Sequence, residues 1–281
     1  MDKLYGYMGS ILEVDLTTGK AEKVPLSPSD VRNFVGGRGL GMKILWDKLP
    51  EPGVDPLSPQ NPLMFMPGPM TGLPFASSSR TCVVTKSPTT SALNSKYEHA
   101  STMSYSNMGG FIGPEIRFAG YDGIVVTGKS PKPVYIKIED DEVEILDASE
   151  FWGMGTDKFD IKFHESLGDN RFQSCYIGPA GENMVPMACV VNTAARAAGR
   201  GGTGAVMGSK NLKAIAVKGT RFPEVADHIK YLELLEQTRN KFREDPGVIR
   251  WRETGTASAL SYSSNASSQA VKNYREGTYT D

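Results

Sequence analysis

Apolar and polar residues alternate with a period of two over residues 10–16 and again over 21–26, with Thr17-Thr18-Gly19-Lys20 between them. Such alternation lays one face of a strand on a core while the polar break supplies a turn, so the pattern predicts a hairpin. Ser27-Pro28-Ser29-Asp30 reads as a helix start leading into residues 31–35. Gly36-Gly37-Arg38-Gly39-Leu40-Gly41 then breaks the helical pattern, which resumes over 42–49. Glycine costs a helix stability, so a cluster of it predicts a local reason. Leu63-Met64-Phe65-Met66 and residues 81–86 predict short strands on either side of a loop containing Pro67-Gly68-Pro69-Met70-Thr71-Gly72. Residues 122–128 predict another strand, 134–138 and 143–146 a second hairpin across Asp140-Asp141, and 211–217 a further strand. Short strands at this spacing predict sheets packed face to face or partly curled. From residue 223 the period changes: Val225, Ile229, Leu232, Leu235 and Phe242 recur on one face of a helix that Pro246-Gly247 is expected to end. A boundary is therefore expected near 220, separating a first domain, 1–220, from an α-helical region, 221–281, read as the incomplete start of a domain.

The chain has 281 residues, enough for one large or two ordinary domains. Its 31 Lys+Arg against 32 Asp+Glu leave a net charge of −1, which gives no overall electrostatic case for nucleic acid or an anionic membrane as partner. Cys82, Cys175 and Cys189 are odd in number, far apart and without a C-x-x-C, a usage that fits a reducing compartment. The start has no apolar signal region and no run approaches the roughly 18 apolar residues of a spanning helix, so a cytoplasmic location is expected.

The richest candidate chemistry is the run from Ala195 to Lys213. Arg196 and Arg200 stand among residues with almost no side chain, so a large flat anion could approach the backbone while two guanidiniums grip its oxygens. Gly199, Gly201 and Gly204 match G-x-G-x-x-G, but a dinucleotide fold needs a helix of several turns before the next strand, and here the 211–217 strand follows almost at once. Two other segments could converge on the same ligand: Ala76-Ser77-Ser78-Ser79-Arg80 and Ser106-Asn107-Met108-Gly109-Gly110. Singly, Arg80 is also readable as a surface arginine, 107–110 as a plain turn, and Arg196 with Arg200 as a solvated helix face. His99, His164 and His228 lack metal-ligand spacing, His164 reading as a helix surface residue; Cys82 and Cys189 read as inert core thiols in strands.

Taken in order, these segments resemble the N-terminal domain of the tungsten-containing aldehyde ferredoxin oxidoreductases. The resemblance runs from Tyr5 to about Thr220 and is carried by Gly36 to Gly41, Val54-Asp55-Pro56-Leu57-Ser58-Pro59, Gly68 to Gly72, Val83-Val84-Thr85-Lys86-Ser87-Pro88, Gly109-Gly110-Phe111, Phe118-Ala119-Gly120-Tyr121-Asp122, Ile177 to Asn183, and the run through Lys213. It implies an α+β fold in which two packed β-sheets with short helices form a base for two molybdopterin-type dithiolene cofactors that hold one tungsten, or molybdenum. The implied pterin contacts are Arg80, Asn107, Gly109, Arg196, Ala197, Gly199 and Arg200, with backbone carbonyls of Asn107 and Ala197 holding a magnesium ion between the pterin phosphates. The implied reaction oxidises an aldehyde or related oxo-acid to a carboxylic acid, with electrons leaving through a [4Fe–4S] cluster to ferredoxin.

In full-length relatives the cluster cysteines and two helical domains follow this region, so the resemblance implies a C-terminal catalytic part or cysteine-rich subunit as partner. The three cysteines here do not match the cluster motif. Residues 91–105 are longer than the family's usual link, which leaves Asn107 placed less directly than Arg196 and Arg200. Two other readings compete: a non-catalytic module that binds or carries the pterin, and a truncated inactive fragment.

Overall fold

The computed structural model describes residues 4–92, 94–97, 99–192 and 196–279. It divides into two compact units, Met1–Ala226 and Asp227–Asp281. In chain order the first unit contains β1 (Ser10–Asp15), β2 (Lys20–Pro25), α1 (Pro28–Phe34), α2 (Gly37–Lys48), β3 (Leu63–Pro67), β4 (Thr81–Ser91), β5 (Ser101–Met108), α3 (Ile112–Phe118), β6 (Ile124–Thr127), β7 (Val134–Glu139) and β8 (Glu142–Asp147). It continues with α4 (Thr156–Leu167), β9 (Gln173–Tyr176), α5 (Pro179–Glu182), β10 (Val190–Asn192), β11 (Arg196–Ala198), α6 (Thr203–Ser209) and β12 (Leu212–Lys218).

The strands form two six-stranded mixed sheets, ordered β2-β1-β6-β3-β4-β5 and β11-β10-β9-β12-β7-β8. Both predicted hairpins are present, β1 with β2 and β7 with β8. Period-two alternation explains how the sheets stack. Leu63, Phe65, Ile124 and Val126 of the first sheet share a core with Ile136, Ile138, Ile215 and Val217 of the second. The opposite face of the first sheet, with Met64, Met66, Val84 and Val125, carries α1 and α2 through Val31, Leu40 and Leu45. The opposite face of the second sheet carries α4, whose Phe159 and Phe163 pack on Ala214, Ala216 and Tyr176.

The glycine cluster now has its reason. The second helix starts at Gly37 rather than at residue 42, with Gly36 in the break after α1. A Cβ at Gly41 would lie 2.8 Å from Val84 Cγ2 and 3.1 Å from Met66 Cγ, so the missing side chain lets α2 lie directly on β3 and β4.

Two buried cations tie loops to this frame. Lys86 Nζ donates to the carbonyls of Pro52 (2.6 Å), Val54 (2.5 Å) and His99 (2.8 Å), which uses all three ammonium hydrogens and moors the long β4–β5 ribbon. Arg117 on α3 pairs with buried Asp122 and donates to the Gly6 carbonyl, while the Asp122 carboxylate accepts from the amides of Met8 and Gly9. This couple straps the N-terminal segment across α3.

The second unit holds α7 (His228–Glu244), α8 (Pro246–Thr254) and α9 (Ala259–Asn265). Pro246 begins a helix as well as following one, because Asp245 caps α8 by accepting from Val248 N (2.9 Å) and proline is tolerated in a helix's first turn. None of the described residues in 227–279 is buried. Among the described residues no helix is long and apolar enough to cross a membrane.

Candidate functional site

The edges of the two sheets meet where β5 approaches β11, and the seven residues singled out above gather around that meeting. Arg80 ends the loop before β4. Thr71 shapes this loop: its hydroxyl accepts from Gly68 N (3.0 Å) and donates to the Arg80 carbonyl (3.1 Å). Arg80, Cys82 and Asn107 line a cavity of about 260 Å3 together with Gly37 and Gly68. On its other side Asn107 lines a larger cleft of about 940 Å3 with Ala197, Gly199 and Arg200. Asn107 is thus shared by two cavities.

The β5 strand ends at Met108, and Gly109-Gly110 makes the turn into α3, Gly110 with φ +91°. Asn192, fully buried on β10, reaches across from the second sheet to donate from Nδ2 to the Gly109 carbonyl (2.8 Å). In the strand register Asn192 faces Arg196. A Cβ on Gly109 would stand 3.4 Å from Arg196 Cδ, so Arg196 lies close against a position without a side chain. The Arg200 backbone amide donates to Ser106 Oγ (2.9 Å), which pins the 199–202 turn to β5. Gly201 and Gly202 have φ +70° and +66°, backbone that favours glycine, and Gly199 is open to solvent. Ala195, at the head of the same run, lies outside the described residues.

The charge pattern follows. Arg80, Arg196 and Arg200 are exposed, and among the described residues none of the three guanidiniums has an ion-pair or hydrogen-bond partner. Among the described residues no acidic side chain lines either cavity. Arg80 lines the smaller cavity and Arg200 the larger cleft, while Arg196 lines neither and lies against Gly109. Free cations beside such hollows suit an anion with several oxygens, because guanidinium donates in a fork matched to phosphate or carboxylate.

The G-x-G-x-x-G spacing builds no dinucleotide fold. Only the seven-residue α6 separates it from β12, and β11 and β12 lie at different places in the sheet, connected through three antiparallel pairings by β10 and β9. Cys82 is a buried core thiol that also lines the smaller cavity, with Sγ 2.7 Å from Asn107 Oδ1. One other expectation changes: Cys189 precedes β10 rather than lying in a strand, and is only partly buried. His164 lies on α4 with its Nε2 3.1 Å from the buried Ser174 hydroxyl.

Tyr105, Ser104 and Asn192 carry no signal in the sequence, and Arg38 and Ser106 stand there only as members of a glycine-rich segment. Arg38, in the first turn of α2, donates to the Tyr105 hydroxyl (2.6 Å) and lies over its ring, and Tyr105 lines the larger cleft. The glycines around Arg38 were its only signal. Nothing local marked Asn192, whose role depends on a partner 83 residues away in sequence.

Residues 11–219 match the family model for the aldehyde ferredoxin oxidoreductase N-terminal domain. The chain is 41% identical over 280 residues to the tungsten-containing aldehyde ferredoxin oxidoreductase of Pyrococcus furiosus, covering 98% of this chain and 44% of that protein. It is 39% identical over 289 residues to the aliphatic sulfonate oxidoreductase WOR-like subunit of the same organism, again covering 44% of the relative. Among solved structures, it is similar to the active-site complex BamBC of benzoyl coenzyme A reductase bound to 1,5-dienoyl-CoA, with a TM-score of 0.79 and 42% identity over 85% of this chain and 35% of that one. The chain therefore spans less than half the length of these relatives.

Proposed function

Because the chain belongs to the tungsten-containing aldehyde ferredoxin oxidoreductase family, whose N-terminal domain it contains, we propose that residues 1–220 form the bed for a tungsten or molybdenum bis-pterin cofactor and that 221–281 contribute to an α-helical region. The observation that carries this reading is that Arg80 and Arg200, unpaired among the described residues, line two cavities that share Asn107 and hold no carboxylate among the described residues. The residues present fit such a group. Arg80, Arg196 and Arg200 would meet pterin and phosphate oxygens, while Gly109 and Gly199 leave the backbone open to a flat ring. The backbone carbonyls of Asn107 and Ala197, both on the larger cleft, would hold magnesium together with phosphate oxygens and water.

When bound, the cofactor supplies the two-electron step that takes an aldehyde or oxo-acid to a carboxylic acid, with electrons leaving through a [4Fe–4S] cluster to ferredoxin. This chain's residues bind and orient. Ser106 ties the 199–202 turn to β5 and Asn192 ties Gly109 to β10, so the backbone around Arg196 and Arg200 is in place before a ligand arrives. The thiolates for the cluster would come from elsewhere, because the three cysteines here are single and at least partly buried. A C-terminal catalytic part or a cysteine-rich subunit is the partner this reading needs, and the assembly works in the cytoplasm.

The test is metal and pterin content of the assembled protein, made in a host that synthesises the pterin. Arg196→Ala with Arg200→Ala should remove most of the pterin, and full retention would overturn the assignment. Aldehyde-dependent reduction of an artificial acceptor separates an enzyme from a pterin carrier. The 42% identity to a benzoyl-CoA reductase complex favours one second reading, in which the substrate is a coenzyme A thioester. Turnover of such a thioester without turnover of aldehydes would support that reading instead.

A further inference from the structure

We propose that Cys82 sets the polarity of the Asn107 side chain, so that its NH2 group, rather than its carbonyl oxygen, is presented to the anion held between the two cavities. The inference rests on reading these cavities as an anionic cofactor's site.

Cys82 and Asn107 face each other in the β4–β5 register, and Sγ lies 2.7 Å from Oδ1. A thiol has one hydrogen. In this geometry the sulfur is the donor and Oδ1 the acceptor, so that hydrogen is directed at the Asn107 carbonyl oxygen.

Asn107 then has its oxygen occupied and its two N–H donors free. The opposite orientation would turn a carbonyl oxygen toward the anion and the amide NH2 toward a sulfur, a weak acceptor. Cys82 is here a positioning residue, neither nucleophile nor metal ligand. It acts through Asn107, which lines both cavities.

The test compares Cys82→Ser, which keeps a donor and an acceptor, with Cys82→Ala, which keeps neither. Pterin and metal content of the assembled protein at limiting cofactor is one readout. Calorimetric binding of inorganic pyrophosphate to cofactor-free protein is the second, and circular dichroism establishes that each variant is folded. Cys82→Ser should bind within about twofold of wild type and Cys82→Ala about tenfold more weakly, the worth of one well-placed donor. Wild-type binding by Cys82→Ala, or equal loss in both variants, would overturn the proposal. The Arg196→Ala, Arg200→Ala protein is measured alongside. If it loses ligand while Cys82→Ala does not, only this inference fails; if a wild-type protein takes up neither ligand, the reading of the cavities fails and this inference with it.

Discussion

Replacing Asp122 by Asn should destabilise the first unit far more than a near-isosteric change at an exposed site. The Asp122 and Arg117 side chains are 3% and 1% exposed, so the pair is removed from water and from most salt screening. Asp122 also accepts from Met8 N (3.0 Å) and Gly9 N (2.7 Å). Burial lowers Arg117 to about 10, which still leaves it charged at neutral pH. Asp122→Asn would strand that charge and turn amide hydrogens toward backbone N–H groups. Removing one partner of a buried pair costs about 3–5 kcal/mol, and for a unit of this size each kcal/mol lowers Tm by about 2–4 °C. The expected drop is therefore about 6–20 °C, read by urea titration and thermal scans, with faster proteolysis of the N-terminal segment. Adding Arg117→Met to Asp122→Asn removes the stranded charge, so the double variant should cost about 1–3 kcal/mol less than the sum of the singles. Additive costs, or an Asp122→Asn protein within about 0.5 kcal/mol of wild type, would refute the argument. The consequence reaches the site because α3 begins just after the Gly109-Gly110 turn.

Lys210 is buried against the carbonyls of Pro59 and Gly128, and burial lowers it to about 7. Above its unfolded value of about 10.5 it is neutral in both states; between there and about 7 only the unfolded chain takes the proton, so stability should fall as pH is lowered through this window and then level off. Lys210→Met should flatten that slope in urea midpoints measured from pH 7 to 10. Gly110→Ala forces a side chain into a φ of +91° with the added Cβ 2.5 Å from Asn192 Nδ2, so it should cost about 1–3 kcal/mol and lower pterin content with it. Lys86→Met leaves three carbonyls without their donor, and should cost about 3 kcal/mol and expose the 87–100 ribbon to protease.

Much of this architecture was legible in the chain. The hairpins β1–β2 and β7–β8 follow from alternation bounded by turn residues, and β3, β4, β6 and β12 from short apolar runs, because a strand's two-residue period is a local property. The helix start at residue 28 was visible for the same reason. The start of α2 was misplaced because Gly37, Gly39 and Gly41 are poor helix formers, kept in a helix by its close approach to β3 and β4. The strand β5 had no apolar alternation to announce it: it is a sheet edge whose side chains are mostly exposed or line the cleft.

The site divides along the same line. Composition alone pointed to Arg196, Arg200 and their glycines, since two cations among residues without side chains have few structural uses. Whether Arg80 and Asn107 belonged with them could not be read from spacing, as their neighbourhood is made by β4 pairing with β5 and by β5 meeting β11. Cys82 was legible as core because its strand is apolar, but only the cross-strand register set its sulfur beside Asn107. The sequence by itself determined the strands with clear alternation or short apolar runs and the family the chain resembles, because these depend on local periodicity and ordered motifs. The tertiary structure alone decided that Arg80 and Arg200, unpaired among the described residues, line two cavities sharing one asparagine, because charge pairing and cavity lining depend on contacts between residues far apart along the chain.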